Sequence, residues 1–351
     1  MRAWSKMLFG LGLAVAVAAS ALVARPAAAQ DKGTIYYLAP TLFDEFQVET
    51  KNMVELLLGQ LGYKVVTLDA QQKADLQNSQ MDDAILQKPK AIILAAVDAD
   101  AITPGIEKAH AAGIPILVYD RQITSRPVEF TSVAGTVEIG RLSAGEAVKL
   151  LTARNGGPKG KILSIMGDSG DSYTLDIEKG FEEVLGKYPD IKVIAKPSKD
   201  WEPTNAANTV QDQLLVNTDI DLIFIHADHL TTPIISVLES KGKKKGDILI
   251  VDATGMPVGL KLLRDGWVQT IVEQPLYGQV YGLAMFLDHV ISKAPMKPGM
   301  YDVVGLQSEL SMEKWGPNLR VPGGVITKDN VNESKFWGNL KPPGVPVPAV
   351  P

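Results

Sequence analysis

From about Gly33 to Thr254 the chain alternates short apolar runs, rich in Val and Ile, with stretches whose apolar residues recur at helical spacing. The alternation states itself twice. Ala91–Leu94, then Asp98 and Thr103-Pro104, is echoed about 130 residues later by Asp221–Ile225, Asp228 and Thr232-Pro233. The flanks repeat as well: Thr34–Ala39 matches Lys161–Met166, Lys64–Asp69 matches Lys192–Lys196, and Ile116–Asp120 matches Ile248–Asp252. Between the runs lie helical stripes with glycine stops. Met53, Val54, Leu56, Leu57, Leu58 and Leu61 end at Gly62; Ile102, Ile106 and Ala109 end at Gly113; Phe181, Val184 and Leu185 end at Gly186. Strands that are apolar throughout fit parallel sheets covered on both faces. The pattern therefore predicts an α/β fold of two doubly wound parallel-sheet lobes, with a small-molecule cleft between them.

The expected first lobe takes residues 30–134 plus about 275–298, and the second takes 135–274 plus about 299–326. Three crossings between lobes would make a hinge. Residues 327–351, which end in five prolines within Lys341–Pro351, are expected to form an extended, mobile tail.

The chain's first residues break the pattern. Arg2 and Lys6 precede an apolar stretch from Met7 to Val23, and Ala27-Ala28-Ala29 follows. A basic start, an apolar middle and an Ala-x-Ala end read as a cleaved leader over 1–29, so a periplasmic protein is expected. The sequence has no Cys, so the exported protein must stand on its core without disulfides. Removing Arg2, Lys6 and Arg25 with the leader takes the formal charge from −5 to −8. An acidic balance without a long basic run argues against nucleic acid.

Candidate chemistry gathers at strand ends, where open α/β sheets face their ligand crevice. Asp120 and Arg121 follow the apolar run Ile114–Val118 and read either as a charged acceptor and a planar donor fork for hydroxyls, or as a solvated turn. Asp44 and Phe46 stand at the end of the first strand, where Phe46 either walls a site or begins a helix core. Trp201, just before a helix, offers a flat ring face to a sugar, or packs in the core. Asp168–Thr174 is a polar, Gly-rich loop whose Asp171, Ser172 or Tyr173 can reach a ligand. Its Gly167–Gly170 tetrapeptide resembles a serine-protease nucleophile site, but the α/β pattern and scarcity of His oppose that reading. His226, Asp228 and His229 read either as metal ligands or as a helix-capping Asp228 with His226 reaching the cleft. No further ligand cluster is near in sequence, so no metal and no cofactor is expected.

With these residues in view, the chain resembles the periplasmic solute-binding proteins for pentoses and related sugars, of the ribose- and xylose-binding kind, from about Gly33 to Gly305. The resemblance is carried by Ala39–Gln47, Leu68–Gln71, Ala96–Asp100, Pro115–Arg121, Trp201–Ala206 and Asp247–Gly259. It implies that Asp120 and Arg121 bind sugar hydroxyls and that Phe46 and Trp201 stack the ring; Asp44, Tyr173, Thr254 and Glu273 are then expected to set selectivity, with Ser172 and His226 reaching the ligand from their loops. Several positions depart from the family pattern. Leu175 stands where ribose binders carry Arg, Ala227 where Asn is usual, Thr254 at a family Asp and Glu273 at a family Gln. The resemblance implies a monomeric, non-enzymatic binding protein that closes on a sugar or polyol and delivers it to an ABC permease. The alternatives are a sensory module for a chemoreceptor or kinase, and an exported hydrolase using Ser169 or His226.

Overall fold

The structure, a computed structural model, describes residues 31–350; the expected leader at 1–29 lies outside the described residues. The chain opens with β1 (Gly33–Ala39), α1 (Glu45–Gln60), β2 (Tyr63–Asp69), α2 (Ala74–Leu86), β3 (Ala91–Leu94), α3 (Thr103–Ala111), β4 (Ile116–Tyr119) and β5 (Phe130–Ala134). Every residue of β3, β4 and β5 is buried, as strands covered by helices on both faces must be. The Asp44 side chain starts α1 by accepting the Gln47 amide at 2.8 Å, and Pro104 opens α3 without sacrificing a helical hydrogen bond.

The chain then crosses at Gly135 into α4 (Thr136–Asn155), β6 (Gly160–Met166), α5 (Ser172–Leu185), β7 (Ile191–Pro197), a 3-10 turn (Lys199–Trp201) and α6 (Pro203–Val216). Next come β8 (Leu222–Ile225), α7 (Thr231–Ser240), β9 (Leu249–Thr254), α8 (Pro257–Asp265) and β10 (Thr270–Glu273). The repeat seen in the sequence is a repeat of topology. The first five strands run β5-β4-β3-β1-β2 across their sheet, and their counterparts run β10-β9-β8-β6-β7.

After β10 the chain returns to the first lobe. The apolar helix α9 (Leu276–Ser292) packs on α1 and β5, and Ser132 Oγ donates to Gln279 O at 2.8 Å. Then β11 (Gly299–Val303), β12 (Leu306–Glu313) and β13 (Gly316–Val321) form an antiparallel meander. Its last strand joins β5 in parallel, Asn318 opposite Thr131 through Val321 opposite Ala134. A third crossing leads to β14 (Val325–Ile326), antiparallel to β10.

Two expectations about this region are corrected. Residues 299–321 extend the first sheet rather than joining the second lobe; of the segment 299–326, β14 alone pairs in the second sheet. The cause is the inward set Val303, Leu310 and Leu319, whose burial fixes the meander against α9 and β5. The segment from Thr327 is not a free tail either. Val331, Phe336 and Trp337 are buried, turns lead into a 3-10 helix at Trp337–Asn339, and the proline-rich stretch from Leu340 on forms, among the described residues, neither turn nor regular element. Two large aromatic side chains outweigh the composition around them. Among the described residues, no helix is long and apolar enough to cross a membrane.

Candidate functional site

The ends of β1 and β4 in the first lobe face the ends of β6, β8 and β9 in the second, across a cavity with about 370 Å³ of space free of protein atoms. Asp120 lines it from the first lobe. The chain turns sharply after β4, and Asp120 takes a left-handed φ of 65°, a conformation that Asp tolerates better than most residues. Its carboxylate is buried and held from two directions: Gln47 Nε2 donates to Oδ2 at 3.0 Å and Gln274 Nε2 donates to Oδ1 at 2.6 Å. Tyr37 in turn donates to Gln47 Oε1 at 3.4 Å, which fixes the amide so that its NH₂ points to Asp120.

Arg121, next along the chain, donates through Nη1 to Ala96 O at 3.0 Å and sends Nε across the cleft to Asp171 Oδ2 at 2.9 Å. Both partners of this interlobe ion pair are almost wholly buried. Asp171 stands just before α5 and accepts two further bonds, from Tyr173 N (2.9 Å) and from Trp201 Nε1 (3.0 Å). One carboxylate thus joins the first lobe's arginine, a helix start and the indole that walls the cavity.

Trp201 reaches the cavity because Asp200 and Trp201 both take left-handed backbone angles, at φ 56° and 57°. Its ring lies over Gly167, where any Cβ would collide with the indole. Tyr173 and Thr254 meet at 3.3 Å between hydroxyls, and Thr254, a β-branched residue, is held at φ 97°. Backbone strain of this kind persists only where the surroundings over-determine it, and it gathers at ligand sites. The rim is also closed across the lobes. Glu45 Oε2 accepts Val258 N at 3.1 Å, and the Phe43 ring meets His229 edge-on at 5.8 Å.

Of the residues singled out in the sequence, Asp44, Phe46, Asp120, Arg121, Tyr173, Trp201 and Thr254 line this cavity together. Three do not. Ser172 opens an outer groove with Asp98, Asp100 and Ser169, because adjacent residues at a helix start point different ways. His226 is turned into the second-lobe core, where Nε2 meets Glu178 Oε2 at 3.1 Å; its neighbour Ala227 faces the cavity instead. Glu273 points away from the cavity to accept Trp337 N at 3.0 Å, and the next residue, Gln274, reaches in. At a strand end, neighbouring side chains take opposite faces, so a one-residue choice decides the side. Asp171, offered from the sequence with Ser172 and Tyr173, lines the cavity, as does His229, read there only as a possible metal ligand; Gln47, Gln72 and Gln274 line it without having been chosen from the sequence.

The hydrolase and metal readings gain nothing from this geometry. His110, His226 and His229 are bonded to Glu129, Glu178 and the Trp201 carbonyl, and Ser169 lies on the outer groove. Among the described residues, no group of three or more His, Cys, Asp or Glu is placed to hold a metal ion.

Burial dominates the electrostatics. It pushes the Asp120 carboxyl up to about 6, Arg121 and the two glutamine donors pulling it down and Asp171 pushing it further up. Asp171 is raised for the same first reason, against the pull of Arg121. Burial also lifts Asp252 and Glu273 to about 7 each, and Asp228, which faces Asp252, well above the carboxylate range. The folded protein therefore holds more protons than the unfolded chain between about pH 4 and 7, and stability declines as pH rises through that window. The exposed or half-exposed carboxylates with lowered values, Asp219, Asp265 and Asp288, titrate below it. The expected result is a ligand-free melting temperature about 5 °C or more higher at pH 5 than at pH 8. A calorimetric profile that rises from pH 5 to 8 would contradict the buried, neutral carboxyls.

Comparison with known proteins agrees with this architecture. A family model described as the periplasmic binding protein domain matches residues 35–295. The ribose import binding protein of Salmonella typhimurium is 28% identical over 262 residues, 75% of this chain and 85% of that protein. The D-apiose import binding protein of Actinobacillus succinogenes is 25% identical over 288 residues, 82% and 89% of the two chains. Among solved structures, the binding component of a Shewanella arabinose ABC transporter, bound to L-arabinofuranose, superposes with a TM-score of 0.74 at 21% identity, covering 88% of this chain and 96% of that one.

Proposed function

We propose, from the premise that the chain belongs to the periplasmic binding protein domain family, that it captures a compact, neutral sugar or polyol between its lobes. The family is one of binding domains rather than enzymes, and the relatives above are import binding proteins for ribose and D-apiose. One observation carries the reading to this chain: a buried carboxylate, Asp120, is anchored at both oxygens by amides and flanked by Arg121 on the cavity wall. Such a pair offers an acceptor and a donor to adjacent hydroxyls, and neither group need move when the ligand arrives. Phe46 and Trp201 supply the apolar faces that a sugar ring presents its C–H surface to.

Charge sets the ligand class. Asp44, Asp120 and Asp171 line the cavity against the single cation Arg121, so sugar acids and sugar phosphates meet a surplus of carboxylate. Closure of the two lobes about the three crossings would complete the shell, and the loaded protein would pass its solute to an ABC permease. Export by the 1–29 leader places the monomer in the periplasm in this reading.

A thermal-shift screen across pentoses, hexoses, polyols and sugar acids tests the proposal. At 100 times its dissociation constant a neutral sugar or polyol is expected to add about 2.7 kcal/mol of stability, while the acids add none. Stabilisation by acids alone, or by no compound of the panel, would remove the substrate class.

A further inference from the structure

We propose that Trp337 is a positioning residue of the cavity, and that residues 331–350 form a strap that ties the two lobes in their closed arrangement. The proposal deepens the binding reading above and concerns a segment beyond the family match, which ends at 295.

Trp337 does not line the cavity, yet it backs two of its walls from different lobes. Its ring meets Phe46 of the first lobe edge-on, at 5.6 Å and 79°. Its indole Nε1 donates to the carbonyl of Thr254 in the second lobe at 2.9 Å, and its backbone N donates to Glu273 Oε1 at 3.0 Å. Thr254 is the wall residue at the strained φ of 97°, so the indole braces the peptide that carries it. Gly338 then lies flat on Gly255, with no room for a Cβ between them. Arg264 of α8 completes this half by donating to Asn339 Oδ1 at 2.6 Å and Val331 O at 3.3 Å.

Beyond Leu340 the chain leaves the second lobe. Tyr281 of α9, a first-lobe helix, donates to Val345 O at 2.8 Å, and Val347 and Val350 pack on the core. Pro342, Pro343, Pro346 and Pro348 stiffen the span, so it behaves as a spacer of set reach rather than a loose linker. The strap thus grips the second lobe through Trp337 and Arg264, and the first through Phe46 and Tyr281. Separating the lobes breaks one set of contacts, so the strap raises the closed share and slows solute release.

The absence of cysteine allows clean labelling. Spin labels on Gln87→Cys in the first lobe and Lys187→Cys in the second, both exposed sites, read the interlobe distance in ligand-free protein. Trp337→Ala and a deletion of residues 341–351 are each expected to lower the closed share about threefold or more, with Trp337→Phe recovering most of it. For a D-ribose probe, if the screen shows that it binds, the dissociation rate rises about fivefold in Trp337→Ala while the association rate changes little. A distance distribution in the deletion variant equal to that of the parent overturns the strap. The deletion removes no buried core residue, so it decides the matter even if Trp337→Ala fails to fold. The distance measurement needs no ligand, so a failed sugar screen leaves it intact.

Discussion

Arg121→Ala is expected to raise the dissociation constant for the cognate sugar at least 30-fold, a loss of about 2–5 kcal/mol. The guanidinium neutralises two buried carboxylates, Asp171 at 2.9 Å and Asp120 at 3.9 Å. Without it, two negative groups face each other out of water, an arrangement that relieves itself by taking up protons. Burial already holds Asp120 at about 6, and Arg121 is the largest influence pulling it down. In the variant Asp120 becomes neutral at pH 7 and loses much of its strength as a hydroxyl acceptor. Arg121→Lys should recover little, because a point charge cannot serve Ala96 O and Asp171 at once in the fork's fixed geometry. Calorimetric titration checks this. Unchanged affinity in Arg121→Ala would remove the pair from the site.

Asp171→Ala should cost nearly as much in binding and more in stability, about 3–5 kcal/mol. Three buried donors lose their acceptor together: Arg121 Nε, Trp201 Nε1 and the Tyr173 amide at the start of α5. Asp171→Asn separates the contributions. The amide keeps an oxygen for the Tyr173 amide but sets an NH₂ against Arg121 Nε and Trp201 Nε1, which share the other oxygen in the parent, so the helix start is restored, stability returns only in part and binding does not recover. Denaturant unfolding and titration on the two variants read the two quantities. Equal binding by Asp171→Asn and the parent would reduce Asp171 to a helix cap.

The fold was legible because its signal is spread over many positions. Eight apolar runs in two matched sets left few alternatives to paired doubly wound sheets, and the strand orders agree. Asp120 and Arg121 were legible because a strand end at a switch point is a defined place even without coordinates. The second-lobe residues were less so, since parity decides them. Gln274 was hidden one position behind Glu273 and Ala227 one behind His226, while of the three loop residues offered, Asp171 and Tyr173 face the cavity and Ser172 between them does not. A helix start or a hinge peptide rotates neighbours to opposite sides, and no pattern of apolarity records the rotation. The 299–321 meander was misplaced because its partner strand, β5, lies about 190 residues earlier, so pairing depends on where α9 delivers the chain. The last segment was misjudged by its prolines, which obscured the core-seeking pair Phe336 and Trp337.

The cleft is a pre-built shell. Asp120 is set by amides from the first lobe and the hinge, Asp171 holds the opposing wall, and Trp337 lies behind Phe46 and Thr254. Preorganisation of this kind lowers the cost of ordering on binding, and the second lobe completes the lining with Thr254, Ala227 and His229.

The central claim is that one neutral sugar or polyol occupies the interlobe cavity against Asp120 and Arg121. Isothermal titration of the strongest stabiliser from the screen, into the parent protein and into Arg121→Ala, tests it most directly. The account predicts one site per chain in the parent, with a negative heat-capacity change from the buried apolar ring faces, and little or no heat of binding in the variant. Equal stoichiometry and affinity in both proteins would contradict it.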